Sequence, residues 1–136
     1  MTQVMVVPPL IEAVEALAPL IRKHADEAEE ARSLSRPVFE AMVDAGRFRM
    51  LVPRAYGGLE MPIVDAFKVV ERVSAIDSAA GWCLQITGID SPTVGALFPD
   101  ATAREVFGNP RAVAAGGFNP PGMASRVDGG YRLTGR

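Results

Sequence analysis

Residues 111–136 read RAVAAGGFNPPGMASRVDGGYRLTGR, and their place after a long run of helical patterns decides the fold. Asp128-Gly129-Gly130 is a tight-turn signal between Ala124-Ser125-Arg126-Val127 and Tyr131-Arg132-Leu133-Thr134. Apolar and polar side chains alternate on the second arm, so the spacing predicts a β-hairpin. RAVAAGGF, rich in small and β-compatible residues, is expected to be strand as well, with Asn119-Pro120-Pro121-Gly122 turning the chain between them. A lone hairpin is marginally stable in water, and its outer strand offers unpaired N–H and C=O groups. The stretch therefore reads as the opening strands of a larger β unit.

Before Pro110 the patterns are mainly helical. Leu10, Val14, Leu17 and Ile21 recur at helical spacing and predict an amphipathic helix to about Arg32, kinked or broken at Pro19, which lacks a backbone donor. Asp26, Glu27, Glu29 and Glu30 form a solvated face of it, and His24 is expected on the surface. Ser35 and Pro37 start a second helix with Phe39, Met42 and Val43 on its apolar side, stopped by a left-handed Gly46. Phe48 to Val52 is expected to be an extended connector, followed by a sharp loop at Pro53 and Tyr56-Gly57-Gly58. Pro62 opens a third helix whose stripe is Ile63, Phe67, Val70 and Val73. Asp77 or Ser78 caps AAGWCLQITGI, which carries almost no charge and is expected to be buried all round. Pro99-Asp100 begins a last short helix, ended by Gly108-Asn109-Pro110. The order predicts a mainly α chain: a helical domain over residues 1–110, then an incomplete β domain over 111–136.

At 136 residues and 49% hydrophobic content the chain can build a core. Its net charge of −2 comes from interspersed signs without a Lys/Arg run, which argues against nucleic acid or an anionic membrane surface as partner. No stretch approaches the ~18 apolar residues of a membrane span. MTQVMVVPPL has no Lys or Arg ahead of its apolar letters and is interrupted by Pro8-Pro9, so it does not read as a secretory signal. With Cys83 as the lone cysteine, no internal disulfide is possible, and a cytoplasmic location is expected.

Local chemistry is sparse. His24 is the only histidine, so Ser-His-Asp, Cys-His and Cys/His zinc arrangements lack their parts, and no catalytic residue or metal ligand is assigned. No phosphate loop and no G-x-G-x-x-G motif is present. Gly116-Gly117 suits either a tight bend or the close approach of a planar ligand. Trp82 suits either core packing or a ligand contact.

Taken together, ALAPLIRKHADEAE, PVFEAMVDAGRFRMLVPRAYGGLE, VVERVSAIDSAAGWC and GGFNPPGMASRVDGGYRLTGR resemble the N-terminal part of the acyl-CoA dehydrogenase superfamily. SAAGWC with VDGGYRLTGR is most similar to its flavin-dependent hydroxylase branch, the oxygenase components of two-component monooxygenases. The resemblance implies a helical N-terminal domain, a middle β domain and a C-terminal four-helix bundle, with flavin, FMN or FAD, between the last two. It further implies an aromatic or polycyclic organic substrate, a reductase that supplies reduced flavin, and a homo-oligomer, a tetramer in the family. By the same resemblance Trp82, Gly117, Phe118, Asn119 and Pro120 are the cofactor-binding candidates. Phe118-Asn119-Pro120 stands where dehydrogenases carry Thr-Glu-Pro, so hydroxylation is favoured over acyl-CoA α,β-dehydrogenation. The general base of the family comes from its C-terminal region, so the 136 residues are expected to be an inactive fragment or truncated reading frame. A non-catalytic helical module that binds a partner is the alternative from another class.

Overall fold

The computed structural model describes residues 7–95, 97–116 and 122–135. The N-terminal helical pattern is divided into α1 (Val7–Glu15), α2 (Ala18–Lys23) and α3 (Ala25–Ala31). The first break is the one Pro19 imposes. Placed in the first turn of α2, its missing N–H falls among donors that have no helical partner anyway. A second break falls at His24, which is largely covered rather than surface-exposed and whose Nδ1 lies 2.6 Å from a Glu27 carboxylate oxygen. No residue of α3 is buried, so its acidic side is the solvated face expected of it. Arg32, at φ 52°, ends that helix in the left-handed region.

Helix α4 (Arg36–Asp44) begins after Ser35, presents Val38 and Met42 to the core, and stops at Gly46, whose φ of 68° favours a residue without Cβ. The following residues are not the extended connector expected from their composition. Arg47–Arg49 form a 3₁₀ turn, and Arg47, Phe48, Arg49 and Met50 are all buried. Four consecutive buried residues are incompatible with a strand that shows one face to solvent, since its side chains alternate. The segment is instead held by the returning chain, with Leu59 N–H donating to Arg49 O at 3.0 Å and Met61 N–H to Met50 O at 2.8 Å.

Helices α5 (Ile63–Ile76) and α6 (Ser78–Gln85) form the centre. Asp77 lies between them in extended backbone, and its Oδ1 accepts from Ala80 N–H at 2.7 Å, the side-chain cap that the sequence offered. Gly81 allows the two helices to touch: a Cβ there would lie 2.0 Å from Ser74 Oγ. Ala66, Val69, Val70 and Val73 of α5 pack with Val14, Ile21, Met42, Met50 and Leu84 in the main core. The expected stripe was therefore rotated: Val70 and Val73 are in it, whereas Ile63 and Phe67 are 53% and 46% exposed. Nor is the uncharged α6 segment buried all round. Ala80, Gly81 and Leu84 face the core, while Trp82 on the other side is 66% exposed.

Beyond α6 the helix widens into a π turn over Ile86–Asp90, continues as α7 (Ser91–Gly95), and the chain then forms α8 (Asp100–Phe107). Strands β1 (Met123–Val127) and β2 (Gly130–Thr134) make the antiparallel hairpin, with Val127 opposite Gly130 and Gly129 at φ 77°. Every strand residue is exposed. Residues 112–116 of RAVAAGGF are not strand, because none of the described residues offers them a ladder. A chain of helices closed by a hairpin is thus the observed fold, as the order of patterns indicated.

Arg49 ties the parts together. It is 7% exposed, and its guanidinium reaches four backbone carbonyls. Nη2 donates to Tyr56 O and, at 2.9 Å, to Phe107 O; Nη1 donates to Asn109 O at 3.2 Å and Nε to Gly57 O at 3.4 Å. Burial lowers its pKa, yet an arginine stays charged in such surroundings. Two of the four acceptors lie at the C-terminal end of α8, where carbonyls lack helical donors and a cation is favoured. On the outer side Tyr56 stacks on Phe107 with centroids 6.1 Å apart and donates to Asp100 Oδ1 at 2.9 Å. Replacing Arg49 by Met keeps bulk but leaves the buried Phe107 carbonyl without a donor and removes three part-buried bonds, so we expect a loss of about 2–3 kcal/mol and roughly 6–10 °C in Tm, read by thermal unfolding.

Candidate functional site

The rotation of α5 has a functional consequence, because the apolar side chains it withholds from the core line a groove. Ile63 and Phe67 of α5, Ile86 and Ile89 of the π turn, and Phe98 and Val106 around α8 enclose a cavity of about 730 Å³. That falls within the ~300–1,000 Å³ usual for small-molecule sites. The far edge is Ala114, Ala115 and Gly116. Among the described residues a Cβ at Gly116 would meet nothing within 4 Å, so they leave open space at this edge of the groove.

Asp90 is the only ionisable side chain lining the cavity among the described residues. Gln85 Nε2 donates to its Oδ1 at 3.2 Å, which fixes one carboxylate oxygen at the rim. The wide turn that carries Asp90 is braced by two hydroxyls, Thr87 Oγ1 to Cys83 O at 2.6 Å and Thr93 Oγ1 to Ile89 O at 2.7 Å. Such π turns are frequent at functional sites.

Trp82 stands four residues before Ile86, one turn along the same helical path. Its ring lies outside the core formed by the described residues. Cys83 beside it is half-buried, and burial, helped by Asp77, pushes its thiol pKa up, so it is no activated nucleophile. Gly117, Phe118, Asn119 and Pro120 lie outside the described residues, although Gly116, directly before them, lines the groove. Asp90 and Phe98 were not singled out by sequence reasoning, and Phe67 was assigned to the core stripe of α5. The available signal was that α5 has two adjacent apolar stripes, one more than a core needs. Among the described residues no group of three or more His, Cys, Asp and Glu could hold a metal ion. None of the described helices is long and apolar enough to cross a membrane.

A helical unit with a terminal hairpin and an apolar, aromatic-lined groove is the class of structure these features define. The chain belongs to the acyl-CoA dehydrogenase family, matching its N-terminal domain over residues 11–95. It is 39% identical over 127 residues to an indole-3-acetate monooxygenase from Pseudomonas putida, covering 91% of this chain and 32% of that protein. A resorcinol hydroxylase from Rhizobium sp., the FADH2-dependent oxygenase component, is 31% identical over 128 residues, covering 93% of this chain and 31% of that one. Among solved structures, XiaF from Streptomyces sp. in complex with FADH2 and glycerol superposes with a TM-score of 0.88 at 30% identity, over 95% of this chain and 33% of that one. The HsaA monooxygenase from M. tuberculosis gives 0.85 at 30% identity, over 95% and 34%. The chain spans about a third of the length of these relatives.

Because its ring is outside the core, Trp82→Ala is expected to lower stability by less than about 1 kcal/mol, where a buried tryptophan would cost ~3–5 kcal/mol. Thermal unfolding of the variant checks this.

Proposed function

We propose that the chain supplies the helical N-terminal portion of the oxygenase component of a two-component, reduced-flavin-dependent monooxygenase that hydroxylates an aromatic or polycyclic substrate. The observation that carries the reading is an exposed indole one helical turn before Ile86, itself a wall of the apolar groove, on a helix whose other side is packed. Leaving a large aromatic ring in water forgoes burial energy, and a flat ring system is the ligand that would recover it. The likeness to FADH2-dependent and flavin-dependent oxygenases over more than nine-tenths of the chain supports the same reading.

The described residues fit such a cofactor. Trp82 would stack against the ring system, and the open edge at Gly116 leaves room for a planar group to pass close to the backbone. Gly117, Phe118, Asn119 and Pro120 continue from that edge in sequence and would complete the contacts. Bound reduced flavin supplies the two electrons with which dioxygen is split, one oxygen atom entering the aromatic ring and the other leaving as water. Ile63, Phe67, Ile86 and Phe98 would keep water from the substrate and hold its ring by apolar contact. A flavin reductase is the partner such an enzyme requires. The middle β and C-terminal portions of its relatives would provide the remaining pocket and the base. Acyl-CoA α,β-dehydrogenation is the runner-up, since the family takes its name from that reaction.

The test uses Trp82 as its own reporter, because it is the only tryptophan. Anaerobic titration of the 136-residue chain with reduced FAD is expected to quench the indole saturably but weakly, with a Kd between about 0.1 and 1 mM, roughly −4 to −5.5 kcal/mol. In the complete oxygenase, Trp82→Phe is expected to weaken reduced-flavin binding by about tenfold, roughly 1.4 kcal/mol. Absence of quenching, or flavin affinity unchanged in Trp82→Phe, would remove Trp82 from the cofactor site.

A further inference from the structure

Arg47 is a buried cation to which the described residues give no anion. It is 4% exposed in the 3₁₀ turn after α4, and its Nε is sealed from solvent without an acceptor. Nη1 and Nη2 have no acceptor among the described residues either but keep contact with solvent, so the tip of the guanidinium lies at a narrow opening. The carboxylates nearest to it in sequence on α4 are already paired: Asp44 and Glu40 both bind Arg111, and Glu40 also faces Arg36. Burial alone acts on the Arg47 pKa, lowering it, with no carboxylate to oppose the effect. The main chain around it is pinned. A Cβ at Gly88 of the π turn would lie 2.9 Å from Arg47 O, and Phe48 stacks on Phe39 with centroids 5.5 Å apart. An arginine on a turn ordinarily extends its head into water, whereas this one is held where water reaches only its last atoms.

We infer that Arg47 is a carboxylate-binding residue, whose two terminal nitrogens take the two oxygens of one carboxylate side by side, at a site separate from the groove, since Arg47 is not among the groove's lining residues. A single guanidinium neutralises a single carboxylate, whereas a phosphate dianion would leave charge unmatched among buried side chains. Arg49 cannot supply the second cation, because its three guanidinium nitrogens already donate to main-chain oxygens. The carboxylate belongs either to a free organic acid or to an Asp or Glu in the further polypeptide that the relatives possess. The site stands independently of the flavin reading.

Formate, the smallest carboxylate, is the probe, compared with chloride at equal ionic strength of about 0.2 M. In the 136-residue chain formate is expected to raise Tm by about 3–6 °C over chloride and to shift the Arg47 Nε–H NMR signal saturably. That signal is identified by its absence from Arg47→Met. Arg47→Met should lose the formate effect and melt in chloride at or above the unaltered chain, because an unpaired buried charge is gone. Arg47→Lys keeps the charge without the planar pair of donors and should retain less than about half of the rise. No saturable shift of the Arg47 signal, an equal formate effect in Arg47→Met, or an Arg47→Met chain clearly less stable in chloride overturns the assignment. The complete oxygenase identifies the source. With a free acid as occupant it keeps the formate response. With its own Asp or Glu as occupant it shows none, and Arg47→Met lowers its Tm by leaving that carboxylate unpaired. A complete oxygenase with neither behaviour also overturns the assignment.

Discussion

One guanidinium holds the structure in register. Arg49 projects from the turn after α4 into a space bounded by the Tyr56-Gly57 loop and the end of α8, and each of its three guanidinium nitrogens donates to a main-chain oxygen. Those oxygens belong to stretches where neither helix nor sheet can satisfy them, so the arginine does the work of missing secondary structure. Position matters as much as bonding. By fixing the end of α8 against the loop, Arg49 places Val106 and Phe107 where they close one side of the groove. Arg47, two residues earlier, is buried as deeply, yet its Nε has no partner among the described residues, and burial lowers its pKa. The contrast shows how much of Arg49's value lies in its acceptors rather than in its charge.

Features whose chemistry is local could be read from the sequence. Pro19 breaks a helix because it lacks a donor, Asp77 caps one because its carboxylate reaches back to a free N–H, and Asp128-Gly129 turns the chain because glycine accepts a positive φ. Features that depend on a distant surface could not. Nothing near Arg49 in the chain announces acceptors at Phe107 and Asn109, so an arginine there reads as a surface residue. The stripe on α5 was misread at its start because Ile63 and Phe67 join Val70 and Val73 at helical spacing as well as Ala66 and Val69 do, and size favours the former. Tertiary contact chose the small side chains for the core because α1, α2 and α6 pack against α5.

The same substitution of small for large governs the site. Ala80 and Gly81 let α6 settle against α5, and the bulk that could have filled the interface, Trp82, is turned outward. An absence of charge in residues 79–89 therefore signified two things at once: close packing on one side and an apolar surface on the other. Family resemblance put Trp82 forward as a candidate but gave no sign of the groove, whose walls come from four separate stretches of the chain. Asp90 escaped notice because an isolated aspartate in a polar-looking GIDSP context gives no sign that its surroundings are hydrocarbon.

The hairpin completes the account from the opposite extreme. Its strands are joined by cross-strand hydrogen bonds but bury none of Met123, Tyr131 or Leu133. Opening it exposes almost no new apolar surface, so its local free energy of opening is set by the ladder alone. In amide hydrogen exchange the protein would thus behave as a graded body, with β1 and β2 exchanging through frequent local opening and the facing backbones of α5 and α6 only through global unfolding.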